Sequence, residues 1–139
     1  WDATGCTFTS SGTVTFNATA GTNAVTPGGT DPDHDFYNVT FNDGGGSATW
    51  RLQGAIDVDN DLTVSDGTLD TNGRGNHAVT VARDLTQSGG QIQARASVLT
   101  VGRNFSAEGT EDSTAYNNAS LVLTGAGTLA YANMNQRGR

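Results

Sequence analysis

Three stretches of the chain repeat one another about twenty residues apart: VDNDLTVSDGTLD from Val58, VARDLTQSGGQI from Val81 and VGRNFSAEGT from Val101. Each opens on the last residue of an apolar–polar–apolar triplet. A short turn follows, Asn60-Asp61, Arg83-Asp84 or Arg103-Asn104, and then a second apolar position, Leu62, Leu85 or Phe105. In the first two copies a glycine corner, Gly67 or Gly90, leads to a third apolar position, Leu69 or Ile92. A fixed period of this length means that one supersecondary unit recurs and buries its apolar face only against its neighbours, which is the definition of a solenoid.

The same pattern extends beyond the three copies. Inward pairs are read at Val14/Phe16, Val39/Phe41, Ile56/Val58, Val79/Val81, Leu99/Val101 and Leu121/Leu123, with first members 25, 17, 23, 20 and 22 residues apart. Phe8 is assigned to the Leu69/Ile92 column. Aligning GTVTFNATAG from Gly12 with ASLVLTGAGT from Ala119 places Phe16 over Leu123 and suggests a longer period. Runs such as TVTF, NVTF, AVTV and SLVL alternate at period two and stop at Gly, Asn or Asp, so they read as strands, and no helical period is sustained. Only 35% of the 139 residues are hydrophobic, against 19 glycines and 30 serines and threonines. That composition fills a thin core shared by many short strands rather than a thick globular interior.

The expected fold is therefore all-β: one domain over 1–139, a single-stranded parallel β-helix of about six coils with three short strands per coil. Right-handed winding is the default expectation. Asp61, Asp84 and Asn104 would stack at one corner, where short polar side chains bond local backbone. A β-sandwich also has short strands and regular turns, but it does not predict one corner residue recurring in register. Two insertions, near 26–35 and 108–118, are expected to bulge from corners as loops.

The stretches GTVTFNATAG, FYNVTFNDGG, AIDVDNDLTVSDGTLDTNG and AVTVARDLTQSGG resemble the repeat arrays of large bacterial secreted and cell-surface β-helix proteins, from about Thr7 to Thr128. The resemblance implies an extracellular or cell-surface role as stalk, adhesin or envelope material, and it implies no particular activity.

Function follows from the ends of such a rod. A solenoid exposes the unpaired edges of its first and last coils, and soluble ones usually cap them. No amphipathic helix precedes Phe8, and LAYANMNQRGR is weakly patterned. Head-to-tail stacking is heterologous and grows a filament or tandem rod, so the partner expected is the chain itself, as a copy or a tandem neighbour. The reading is a non-enzymatic structural module of an extracellular filament, stalk or surface layer. The alternative is an adhesin or carbohydrate-binding module taking a glycan. A net charge of −7, with seven arginines and no lysine, argues against nucleic acid and anionic membrane surfaces. No apolar run is long enough to span a bilayer and no signal peptide is recognisable, so the chain reads as a processed form.

Candidate chemistry is sparse. Asp31, Asp33 and Asp35 in DPDHD, and Asp57 and Asp59 in DVDND, have the opening spacing of a calcium loop, but the sixth and twelfth positions do not continue it. Calcium is the one cofactor suggested. Arg51 with Asp57 and Asp59 invites comparison with β-helical polysaccharide lyases and hydrolases, while His34 and His77 sit in polar contexts without a triad. An outward column Thr15, Thr40, Asp57, Thr80, Thr100, Val122 could bind ice or glycan, though Asp57 interrupts it. Sequons at Asn17, Asn38, Asn104 and Asn118 make Asn118, Asn38 and Asn17 the glycosylation candidates, since Asn104 is needed at the corner. Cys6 is a lone thiol near one end, where it could link neighbours.

Overall fold

A computed structural model describes residues 1–71, 75–107 and 119–131. In chain order its strands are β1 (Thr13–Phe16), β2 (Thr22–Val25), β3 (Asn38–Phe41), β4 (Thr49–Leu52), β5 (Ile56–Val58), β6 (Leu62–Val64) and β7 (Thr68–Asp70). They continue as β8 (Val79–Val81), β9 (Leu85–Gln87), β10 (Gln91–Gln93), β11 (Val98–Val101), β12 (Phe105–Ala107), β13 (Ser120–Leu123) and β14 (Leu129–Tyr131). No helix occurs among the described residues. Strands this short are marginal alone; they persist because each is hydrogen-bonded on its flanks by the coils before and after it.

The strands form three parallel sheets. The first has the order β1-β3-β6-β9-β12-β14, the second β2-β4-β7-β10 and the third β5-β8-β11-β13. The chain visits the third sheet, then the first, then the second, and returns one level further along: β5, β6, β7, then β8, β9, β10. The architecture is a β-solenoid of about 5 turns, close to the six coils expected.

Strands alternate in burial, so the middle residue of most triplets faces out and its neighbours face in. Inward residues stack in register: Ile56 on Val79 and Val79 on Leu99 in the third sheet, Leu62 on Leu85 and Leu85 on Phe105 in the first. Leu69 stacks on Ile92 in the second, as expected.

Three column assignments are corrected. Val14/Phe16 and Val39/Phe41 do not continue into Ile56/Val58; they lie in the first sheet, where Val39 pairs with Leu62 and Phe41 with Val64. The third-sheet position of that coil is taken by Phe36, bridged to Val58. Phe8 stacks on Phe36, with ring centroids 4.9 Å apart, and so belongs above the third sheet rather than with Leu69 and Ile92. Phe16 and Leu123 occupy different sheets, which removes the longer period between them. The first and third share a physical reason: apolar–polar–apolar triplets occur on two faces of the coil, and alternation alone does not distinguish the faces.

The expected outward threonine column also divides. Asp57, Thr80, Thr100 and Val122 align on the third sheet, while Thr15, Thr40, Thr63, Thr86, Ser106 and Ala130 align on the first. Asp57 therefore interrupts nothing on the first sheet, whose hydroxyl rank is continuous over five strands.

The core changes character along the axis. At the β1 end it is aromatic: Trp1 and Phe36 touch each other and each touches both Phe8 and Phe16, Phe16 stacks on Phe41 at 5.0 Å, and Phe41 meets Trp50 at 5.3 Å. Beyond β5 it is mainly aliphatic. Gln87 holds an inward position beyond Val64, fully buried, with its Nε2 donating to the Gly90 carbonyl at 2.7 Å. Coil spacing leaves no room for side chains at some corners: a Cβ on Gly102 would lie 2.0 Å from the Ala82 carbonyl oxygen.

Candidate functional site

The most regular polar feature is the corner that leads into the first sheet. The Asp61 N–H donates to Asn38 Oδ1 at 3.2 Å, the Asp84 N–H to Asp61 Oδ1 at 3.1 Å, the Asn104 N–H to Asp84 Oδ1 at 3.1 Å, and the Thr128 N–H to Asn104 Oδ1 at 3.0 Å. Each side chain thus accepts from the backbone of the next coil, satisfying a donor at a turn where sheet pairing has not yet begun. Asp61, Asp84 and Asn104 are brought together as expected. Asn38 and Thr128 were missed as rungs; their signal was position, since each directly precedes the first inward residue of its strand, as Asp61 precedes Leu62.

Cationic and amide groups reinforce this corner. Asn60 Nδ2 donates to Asn38 Oδ1 at 2.8 Å, Arg83 Nη1 to Asn60 Oδ1 at 2.8 Å, and Arg103 Nε to Asp84 Oδ1 at 2.8 Å, with Nη2 on the other carboxylate oxygen. The Arg103 guanidinium, helped by the Asn104 N–H and side-chain amide, lowers the Asp84 pKa to about 2. Because the folded value lies below the unfolded one, this contribution is full above about pH 4 and is lost as pH falls toward 2. Burial first, and then neighbouring carboxylates, raise Asp35 and Asp57. Their effect is opposite: stability falls as pH rises just above the ordinary aspartate value. Unfolding by urea between pH 2 and 6 is therefore expected to show a maximum near pH 4. In Asp84→Asn the acid-side rise shrinks by about 1 kcal/mol, a figure reduced for the screening of a partly exposed pair. An unchanged acid limb would remove the pairing from the stability of the rod.

The candidate calcium ligands do not converge. Asp31 Oδ1 is 2.7 Å from His34 Nδ1 and accepts the Asp33 N–H at 3.1 Å, and that hydrogen bonding lowers its pKa. Asp57 is half-buried on β5 and Asp59 is exposed in the following turn, near enough to Asp35 for the carboxylates to repel. Among the described residues no three His, Cys, Asp or Glu side chains are grouped to hold a metal ion. Arg51 is not beside Asp57 and Asp59: it stands on β4 of the second sheet, with Nε donating to the buried Asp70 carboxylate at 3.0 Å. His77 Nε2 is buried with no hydrogen-bond partner among the described residues.

Of the sequons, Asn17 is exposed, Asn38 and Asn104 are half-buried in the corner ladder, and Asn118 lies outside the described residues, as does the 108–118 insertion. The first insertion is placed between β2 and β3. Cys6 is exposed. Among the described residues no helix is long and apolar enough to cross a membrane.

The first and last described coils complete the geometry. Trp1–Ala3 runs beside the end of β2: the Thr26 N–H donates to the Trp1 carbonyl at 2.9 Å and the Ala3 N–H to the Thr26 carbonyl at 3.0 Å. The Trp1 ring leans over Phe8, Phe16 and Phe36 and stays 43% exposed. In the last described coil Leu121 and Leu123 are half-buried and Leu129 is 46% exposed. Among the described strands, β1 and β14 each have a single neighbour. Comparison with family models, curated proteins and solved structures finds no match to this chain.

Proposed function

We propose that the chain is a non-catalytic structural module of an extracellular filament, stalk or surface layer, joined end to end through its terminal coils. The observation that carries this reading is the first sheet. It runs along the rod through six strands in unbroken register and finishes at both ends on a strand with one described neighbour. Such edges offer unpaired N–H and C=O groups to a further strand. Leucines at one tip and Trp1 at the other add apolar surface that further coils would cover. The negative charge keeps rods from clumping side by side.

Electron microscopy of the purified chain over a concentration series tests the reading. Filaments with an axial repeat of about 29 Å, six levels at the interstrand spacing, are expected. Isolated particles at every concentration would overturn it.

The continuous rank from Thr15 to Ser106 favours a second reading, a glycan-binding face on the first sheet. Glycan-array binding lost in Thr63→Val/Thr86→Val, with unchanged thermal stability, would support it; an array with no signal would end it.

A further inference from the structure

We infer that the chain cuts itself at the Asp31–Pro32 peptide bond, with the Asp31 carboxylate as nucleophile and the His34 imidazole as proton donor. The step is a single turnover on the chain's own backbone and is independent of the end-to-end reading above.

Asp31–Pro32 is the one Asp–Pro bond in the sequence; the other proline, Pro27, follows Thr26. Such a bond is unusually open to attack from within. An aspartate carboxylate can close a succinic anhydride ring on its own backbone carbonyl carbon, with the reacting groups already joined. The proline nitrogen belongs to a tertiary amide with no N–H, which makes it a readily protonated leaving group.

The loop between β2 and β3 arranges the groups this reaction needs. The His34 N–H donates to the Asp31 carbonyl oxygen at 2.9 Å, the atom on which negative charge develops as the ring closes. His34 Nδ1 lies 2.7 Å from Asp31 Oδ1, which also accepts the Asp33 N–H at 3.1 Å, so one carboxylate oxygen is fixed and the other attacks. The imidazole rests on bare backbone. A Cβ on Gly28, whose φ is 97°, would be 2.6 Å from His34 Cδ2, and one on Gly29 would be 3.0 Å from Nδ1. Beyond the bond the chain is tied down: the Phe8 N–H donates to the Asp33 carbonyl at 2.6 Å and the Ser10 N–H to that of Asp35 at 3.2 Å. The His34 side chain is 16% exposed and that of Asp31 61%, which shelters the acid and leaves the carboxylate open to water. An ordinary turn accounts for Asp31 and Pro32 at its first two positions. It does not require an imidazole bedded on two glycines and held against the aspartate.

The bonds balance as follows. A carboxylate oxygen of Asp31 bonds to the Asp31 carbonyl carbon, the bond from that carbon to the Pro32 nitrogen breaks, and the nitrogen takes a proton from the His34 imidazolium. The products are an anhydride at Asp31 and a free amine at Pro32. Water then opens the anhydride, returning a proton to the imidazole and leaving Asp31 with two carboxyl groups. The pieces stay together, because β1 remains paired with β3 and β2 with β4.

The purified chain is incubated at about pH 5.5, where free imidazole is mostly protonated, and followed by denaturing electrophoresis and mass spectrometry. Fragments ending at Asp31 and beginning at Pro32 are expected to accumulate, at least about tenfold faster than in concentrated urea, where His34 is no longer held in place. Hydroxylamine added during incubation should trap the anhydride as an Asp31 hydroxamate. His34→Gln is expected to slow the cut at least about tenfold, and Asp31→Ala to abolish it. The hydroxamate is read on the native chain and so decides whether or not a variant folds. No cut, an equal rate in urea, a cut without hydroxamate, or an unchanged rate in folded His34→Gln would each overturn the proposal, and all of them leave the end-to-end reading standing.

Discussion

Trp50→Ala is expected to lower the unfolding free energy by about 3–5 kcal/mol, a large share of the stability of a domain this size. Trp50 is 1% exposed on β4, between Asn23 and Leu69 in register, with its ring against Phe41. The backbone of Gly67 closes the other side: with φ of 74°, glycine is suited there, and a Cβ would lie 2.7 Å from the indole. The hole left by alanine cannot shrink easily, because the spacing of coils is set by backbone hydrogen bonds rather than by side-chain volume. The midpoint of thermal unfolding should fall by roughly 10–20 °C, and Trp50→Phe should recover more than half of the loss. A change below about 1 kcal/mol for the alanine variant would show that the indole is not packed as described.

Asp43→Ala is expected to cost about 3 kcal/mol. The carboxylate is 1% exposed; Oδ1 accepts the Gly45 and Gly46 N–H groups, each at 3.1 Å, and Oδ2 accepts that of Ala48 at 2.9 Å. Water can replace it at the two exposed glycines, but Ala48 is buried and its N–H would be left without an acceptor. Asp43→Asn keeps one acceptor oxygen and turns an NH₂ toward the remaining donors, so an intermediate loss is expected. Denaturant unfolding measures the cost, and hydrogen exchange at the Ala48 amide locates it. That amide should exchange faster in Asp43→Ala than can be accounted for by global destabilisation. If the two agree, Asp43 does not hold this corner.

Much of the architecture was legible because a solenoid writes its tertiary contacts into its sequence. Residues one period apart touch, so Leu62, Leu85 and Phe105 announce a shared column, and Asp61, Asp84 and Asn104 announce a shared corner. The same logic misassigned Val39/Phe41. Their spacing to Ile56/Val58 is 17 residues, shorter than the 20 to 25 of the other intervals, while their true partners Leu62/Val64 lie 23 residues on. Phe36 was the missing marker: a single bridging residue has no alternation to reveal it. Asp43 escaped for a different reason. It belongs to no repeated column, and the glycine run Gly44 to Gly46 shows only that a tight corner exists, not which acceptor fills it.

The candidate site divides along the same line. That a β-rich chain with a period near twenty would coil, bury a thin core and line one corner with Asn and Asp was determined by the order of its residues, since those contacts recur at fixed separations. Which face each triplet occupies, that Arg51 pairs with Asp70 rather than standing beside Asp57, and that the threonines of the first sheet form one uninterrupted rank were decided only by the tertiary structure. The reason is geometric. Period-two alternation tells inside from outside, but it carries no label for which of three sheets a strand enters. That choice is made by how the corners between strands turn and pack.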